Sequence, residues 1–282
     1  MSMRRTDILM ITFNSAEYVR RSLPPLLETC GEDDRVWLWH NGNDEDTLEV
    51  VRSFVDDPRV DRFHHSRENV RLRPPTNWLW ESSTARYVSK VDDDCIVSRG
   101  WLDLLTQACE ANPRFGVVGS WRHPPEDLDR SCAERRVVSY DGGHRLMRNL
   151  WVQGSGYVLN RQWVQRAGLL RDGESFTRYC IRLADSGAIN GWYFPFVFED
   201  HMDDPRSANT LLRTDSDLLS RLPLSAQANG VRTLSDWQDQ IRRSATVAAS
   251  ASLDPRYYLG WRSRSRSARR RLARALGRRT DW

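Results

Sequence analysis

Tyr87-Val88-Ser89-Lys90-Val91, followed by Asp92-Asp93-Asp94-Cys95, is the stretch on which the reading of this chain turns. An apolar-rich run over 87–91 makes a short strand, and three consecutive carboxylates end it. In an open α/β sheet, ligands sit outside the carboxyl ends of the strands. Adjacent carboxylates repel one another and are costly to bury without a counter-ion. A hard divalent cation would neutralise them through oxygen ligands and leave positions free for phosphate. A solvated acidic turn would use the same residues, so this stretch taken alone leaves both readings open.

Working outward, residues 8–12 read as a buried strand and 16–28 as a helix with Ser15 as its N-cap. A second strand covers 36–39, a helix 45–55, a weaker strand 60–63 and a helix 76–83. Downstream of the acidic run come a helix over 101–111 and a strand over 115–120. Strand–helix alternation with short connections predicts an α/β fold with a mostly parallel central sheet flanked by helices. After residue 121 the pattern changes. Residues 124–136 read as a loop, 137–140, 151–159 and 192–198 as strands, and 162–167 and 176–186 as helices. Residues 205–260 read as a helical extension, with Trp237 and Ile241 on one face.

The 282 residues are 39% hydrophobic, enough for a large core, and contain no apolar run long enough to cross a bilayer. The N-terminus lacks a signal-peptide pattern, and the five scattered cysteines form no Cys-x-x-Cys pair. A cytoplasmic protein with free thiols is expected, with peripheral membrane contact as a further option. The net charge of +4 hides an asymmetry: residues 262–281 hold nine arginines and one aspartate, so the remainder is net acidic. The basic tail, 261–282, reads as flexible. Its arginines from Arg262 to Arg279 could meet an anionic membrane or nucleic acid, or serve only solubility.

Two further segments follow strands directly. Asn41-Gly42-Asn43-Asp44 could hydrogen-bond a nucleobase or ribose, or be an ordinary turn. Thr12-Phe13-Asn14 ends the first strand and says little by itself.

In order, Ile11-Thr12-Phe13-Asn14, Trp39-His40-Asn41-Gly42-Asn43, Asn69-Val70 with Asn77, and Val91-Asp92-Asp93-Asp94 resemble the motifs of GT-A fold glycosyltransferases, especially family 2. The resemblance spans about residues 6–203. It implies a Rossmann-like nucleotide-sugar half over 1–121 and an acceptor half over 122–204. It implies a nucleotide-sugar donor, UDP-sugar by default, bound by Thr12, Phe13, Asn14, Asn41, Asn69, Asn77, Asp92 and Asp93. It implies Mn²⁺ or Mg²⁺ held by Asp94, Asp92 and His201, the histidine lying six residues after Pro195. Gln153-Gly154-Ser155-Gly156 resembles the acceptor-side strand entry and places Gly154 and Ser155 in the substrate site.

The departure from the family lies at the base. Inverting members carry Glu-Asp ahead of the Arg-Leu helix, whereas this chain reads Arg171-Asp172-Gly173-Glu174-Ser175-Phe176. Glu174 is the first choice and Asp172 the second, with Glu199 and Asp200 behind them. The expected reaction is metal-assisted transfer of a sugar to an unidentified acceptor, with inversion. Two alternatives stand beside it. A nucleotidyltransferase would favour a Gly-rich, lysine-bearing phosphate loop after the first strand, and residues 12–16 hold none. A glycosyltransferase of modified DNA would use the basic tail.

Overall fold

The computed structural model describes residues 4–260. Strands β1 (Thr6–Thr12), β2 (Asp34–Asn41), β3 (Val60–Ser66) and β4 (Tyr87–Asp92) alternate with helices α1 (Ala16–Glu28), α2 (Glu45–Arg52) and α3 (Arg73–Ser82). These four strands are mutually parallel, in the order β3-β2-β1-β4. Every residue of β1 is buried, as befits a strand covered on both faces. Alternation along it sends Ile8 and Met10 into one core layer and Leu9 and Ile11 into the other.

Beyond β4 come β5 (Cys95–Val97), α4 (Trp101–Ala111), β6 (Phe115–Gly119), α5 (Arg130–Glu134), β7 (Val137–Ser139), β8 (Arg145–Asn149) and β9 (Tyr157–Asn160). Then follow α6 (Arg161–Ala167), α7 (Phe176–Asp185), β10 (Ile189–Tyr193) and β11 (Glu199–His201). The nine-stranded sheet continues β4-β9-β6-β10-β8-β7. β9 runs antiparallel between β4 and β6, and β8 runs antiparallel to β10. The parallel half therefore carries the first four strands, and the second half is mixed. β11 and β5 form a separate antiparallel pair.

Several boundaries differ from the sequence reading for identifiable reasons. The helix expected at 76 begins at Arg73, because Pro74 and Pro75 occupy its first positions, where no N–H is needed. The strand expected over 151–159 begins only at Tyr157, after Gly156 has taken a left-handed turn at φ +59°. The strand expected over 192–198 lies over Ile189–Tyr193 instead, and Pro195, lacking an N–H, cannot extend it. The loop expected over 124–136 contains α5, capped by the Asp129 side chain. β8 was not anticipated: Leu146 and Met147 are adjacent and both buried, which breaks the alternation that marks a strand.

The 205–260 segment is helical as expected, with α8 (Asp215–Arg221), α9 (Leu224–Ala228) and α10 (Leu234–Ser250). It is packed onto the body. Ala245 and Ala248 join a sheet-side core, and Trp237 Nε1 donates to Asp203 O at 2.7 Å. Arg206 forks onto Asp127 at 2.7 and 2.8 Å and also reaches Asp204. Among the described residues no helix is long and apolar enough to cross a membrane. The arginine-rich stretch 262–279 lies outside the described residues, as does its expected contact with membrane or nucleic acid.

Candidate active site

The acidic run sits where β4 ends at the carboxyl edge of the sheet, beside the end of β1, with Ile11 and Asp92 as partners in register. The β1–α1 loop closes over it. Phe13 N donates to Asp93 Oδ2 at 3.1 Å, and the Ser15 hydroxyl donates to the same oxygen. Ser15 does precede α1, but its side chain serves Asp93 and not the helix end. Phe13 is exposed and Asn14 takes a positive φ of 50°, so both stand on the rim. Thr12 is buried, and its hydroxyl contacts His40 Nδ1 at 2.9 Å. Burial, helped by His65, pushes His40 down to about 4, so it is neutral at physiological pH.

Asp94 Oδ2 stands 3.4 Å from His201 Nε2, a contact made possible by β11 pairing with β5. Asp203 joins the group and interacts with Asp94. Burial and the Asp94 charge push Asp93 up to about 8, and the same two causes push Asp203 up to about 7. Burial would push Asp94 up as well, but His201 outweighs it and holds that carboxylate low. Burial and Arg122 disfavour the His201 cation, yet Asp94 raises its affinity for a proton overall. The cluster is thus short of positive charge. Its donor set of carboxylate oxygens and one imidazole nitrogen fits a divalent cation, with Asp94, Cys95 and His201 offering atoms within 4.8 Å of one another. Asp92 is drawn aside by an ion pair with Lys90, the only lysine of the chain, and its backbone N–H donates to Ser155 Oγ at 2.9 Å.

That serine belongs to the Gly-rich entry to β9. A Cβ on Gly156 would fall 1.6 Å from Glu199 Oε2 and 2.2 Å from Ser120 Oγ, so only glycine fits there. Gly154 faces open space and lines a cavity of about 370 Å³. Trp151, Gln153, Trp192, Arg122, His123 and Thr177 form most of its wall, and Ser244 and Val247 of α10 close one side. Gln153 is fixed between Ser120 O and Trp192 Nε1. None of the lining residues is acidic. Arg122 spans both regions, lining the cavity while its charge acts on Asp94 and His201.

Other expected residues are occupied elsewhere. Asn41 Oδ1 accepts from Trp39 Nε1 at 3.0 Å and from Val70 N at 3.3 Å, and its amide donates to Arg71 O, so it pins the 67–71 loop. Asn69 caps that loop through Arg71 N. Asn77 exchanges two hydrogen bonds with the Leu170 backbone, at 3.0 and 3.1 Å. Glu174, expected as the base, is clamped by Arg182 and accepts from Arg171 N at 3.0 Å. Burial opposes its charge, but Arg182 keeps its pKa below the usual value. A carboxylate so engaged is a poor proton acceptor. Asp172 is fully exposed, with one 3.4 Å contact to Arg73. Glu199 is buried against Ser120, and Asp200 accepts from Ser207 and Asn209 at 2.9 and 2.8 Å. The sequence reading missed Arg122, Asp203, Trp192 and the α10 wall. A lone arginine just past a strand, or a tryptophan within an apolar one, carries no spacing signal.

Residues 7–172 match the sequence profile described as Glycosyl transferase family 2. Among solved structures, the mannosyltransferase PcManGT from Pyrobaculum calidifontis, in complex with GDP-Man and Mn²⁺, superposes with a TM-score of 0.57. It is 16% identical, over 96% of this chain and 81% of that one. S. aureus TarS 1-349 superposes equally, at 0.57, with 10% identity over 90% of this chain and 74% of the other. At these identities the likeness establishes the fold.

Proposed function

This chain belongs to glycosyl transferase family 2, and on that premise we propose that it moves a sugar from a nucleoside-diphosphate donor to a hydroxyl-bearing acceptor with the help of Mn²⁺ or Mg²⁺. The observation that carries the reading is the Asp94–His201 pair, 3.4 Å apart among further carboxylates at the carboxyl edge of the sheet. A divalent ion bound there supplies a Lewis acid for the leaving diphosphate.

The chain's own residues do the rest. Asp94 and His201 hold the ion, and Asp92 and Asp93 shape the donor pocket, with the Phe13–Ser15 loop over it. Residues 1–121 carry the donor side. Residues 122–204 carry the acceptor side, and the 205–260 extension walls it through α10. Arg122, beside the metal cluster, adds positive charge where negative charge builds on the departing diphosphate. The tryptophan faces and Gln153 in the cavity hold the acceptor, so that its hydroxyl meets the anomeric carbon in line as the bond to the diphosphate breaks, and the hydroxyl proton leaves to solvent. Glu174 belongs to the scaffold of α7 in this reading, because Arg182 occupies both of its oxygens.

UDP-sugars are the first donors to try. The test is metal-dependent hydrolysis across UDP-, GDP- and dTDP-sugars. Hydrolysis of one class, lost with chelator and restored by Mn²⁺ or Mg²⁺, supports the reading, and metal-independent turnover sinks it. The anomeric configuration of the product, read by NMR, distinguishes inversion from retention. For the 262–279 stretch we propose electrostatic contact with an anionic surface. Truncation after Gly260 should weaken adsorption to anionic vesicles if that surface is lipid, and DNA binding if it is nucleic acid.

A further inference from the structure

Cys95 stands out at the metal cluster because its chemistry does not suit the ion the transfer reaction needs. It is fully buried and is the register partner of His201 across the β5–β11 pair. Directly opposed residues of an antiparallel pair project from the same face. Its sulfur lies 3.3 Å from Asp94 Oδ1, while Asp94 Oδ2 lies 3.4 Å from His201 Nε2. One sulfur, one oxygen and one nitrogen donor thus come within 4.8 Å of one another. Ligands about 2.0–2.3 Å from a single tetrahedral ion stand roughly 3.3–3.8 Å apart, and the Cys95 and His201 contacts, each to its own oxygen of Asp94, lie within that range.

A second observation points the same way. Glu199, on the same face of β11 two residues before His201, is buried and interacts with the Cys95 thiol. Its Oε1 is buried without a hydrogen-bond partner. A buried carboxylate oxygen left unpartnered on a side chain that meets the Cys95 thiol marks a place that a cation would satisfy.

Mg²⁺ and Mn²⁺ favour oxygen ligands and gain little from a thiol. Zn²⁺ favours nitrogen and sulfur and binds such sets more tightly than Mn²⁺ does. We infer that Asp94, Cys95 and His201 form a nitrogen–oxygen–sulfur centre that takes Zn²⁺, and that zinc bound there excludes the transfer metal and stops the enzyme. The inference rests on the proposed function, since Asp94 and His201 serve both ions. On binding, the S–H bond breaks, a sulfur–zinc bond forms and the proton leaves to solvent. Zinc is therefore an inhibitor that competes with Mn²⁺ or Mg²⁺.

The experiment uses the full chain and Co²⁺ as a visible stand-in for zinc. Titration without nucleotide should raise the near-ultraviolet thiolate-to-cobalt charge-transfer band, and Zn²⁺ should remove it. Cys95→Ser should lack the band, and the preference for Zn²⁺ over Mn²⁺, measured by competition, should fall at least ~10-fold. His201→Gln leaves the thiol in its core position and should weaken the band too, which covers the case in which the serine variant does not fold. A band that persists in Cys95→Ser comes from another cysteine and overturns the inference. So does a wild-type chain that shows no band while its Mn²⁺-dependent nucleotide binding is intact. If that nucleotide binding is itself missing, the proposed function falls, and the two failures are told apart.

Discussion

Arg182 closes a fork on Glu174, with Nε 2.9 Å from Oε1 and Nη2 2.7 Å from Oε2. The same guanidinium donates to Ala167 O and Leu169 O, so one side chain ties α7 to the loop before it. Both partners are largely buried, at 14% and 11% side-chain exposure, which makes the fork worth more than a surface pair. Glu174→Gln should therefore cost about 1–3 kcal/mol of stability. Thermal melting should show a loss of a few degrees, with donor turnover within a few-fold of wild type. A large drop in turnover at unchanged stability would return Glu174 to proton transfer.

The same pair sets a pH dependence. Burial works against the Glu174 charge, but Arg182 wins and depresses the folded-state pKa. A depressed carboxylate stabilises the fold above its unfolded pKa, about 4.3. That contribution is lost as pH falls through the folded value. Urea melts should show the gap between wild type and Glu174→Gln full at neutral pH and shrinking below about pH 4.

Asp94→Asn keeps the shape of the side chain and removes its charge. Metal-dependent affinity for the nucleotide should fall more than ~10-fold with the melting temperature preserved or raised. Calorimetry with and without Mn²⁺ checks it, and unchanged affinity would misplace the metal.

Arg122 lines the cavity, and its charge acts on the Asp94–His201 cluster. Arg122→Met should lower kcat by roughly 10²-fold and change the donor KM little, because its charge matters most as the diphosphate departs. Steady-state kinetics with the donor identified by the screen separate the two parameters.

Ser244 on α10 faces the cavity. Ser244→Trp should fill that space, raising the acceptor KM while donor hydrolysis and metal binding persist. An unchanged acceptor KM would move the acceptor away from the α10 wall.

Gly156→Ala tests the packing beneath the site. The methyl would collide with Glu199 and Ser120 and sit at a φ that only glycine adopts easily. A loss of about 2–4 kcal/mol is expected, visible as poor soluble yield and a lowered melt.

The first half of the fold was written in local pattern: β1, β2 and β4 are compact apolar runs, and α1 and α4 bury regular apolar faces. Asp92-Asp93-Asp94 was legible because carboxylates bunched at a strand end have few physical uses. What the chain order cannot show is which distant residues share that edge. His201 was paired with Asp94 through the family resemblance and not by local pattern, since the two meet only because β11 doubles back on β5, 107 positions from the acidic run. Arg122, Trp192 and Ser244 come to one cavity from three separate stretches. Asn41 and Asn77 looked like ligand-binding amides, yet in the tertiary structure they hydrogen-bond the backbone of Val70, Arg71 and Leu170. Glu174 is the first choice of base because it precedes the Arg182 helix, where the resembled family places its acid, but only the tertiary structure shows Arg182, on α7, folded back onto both of its oxygens. Sequence fixes which donors and charges exist. Packing decides which of them are left free for a ligand, because each buried polar group is first claimed by its nearest partner in space.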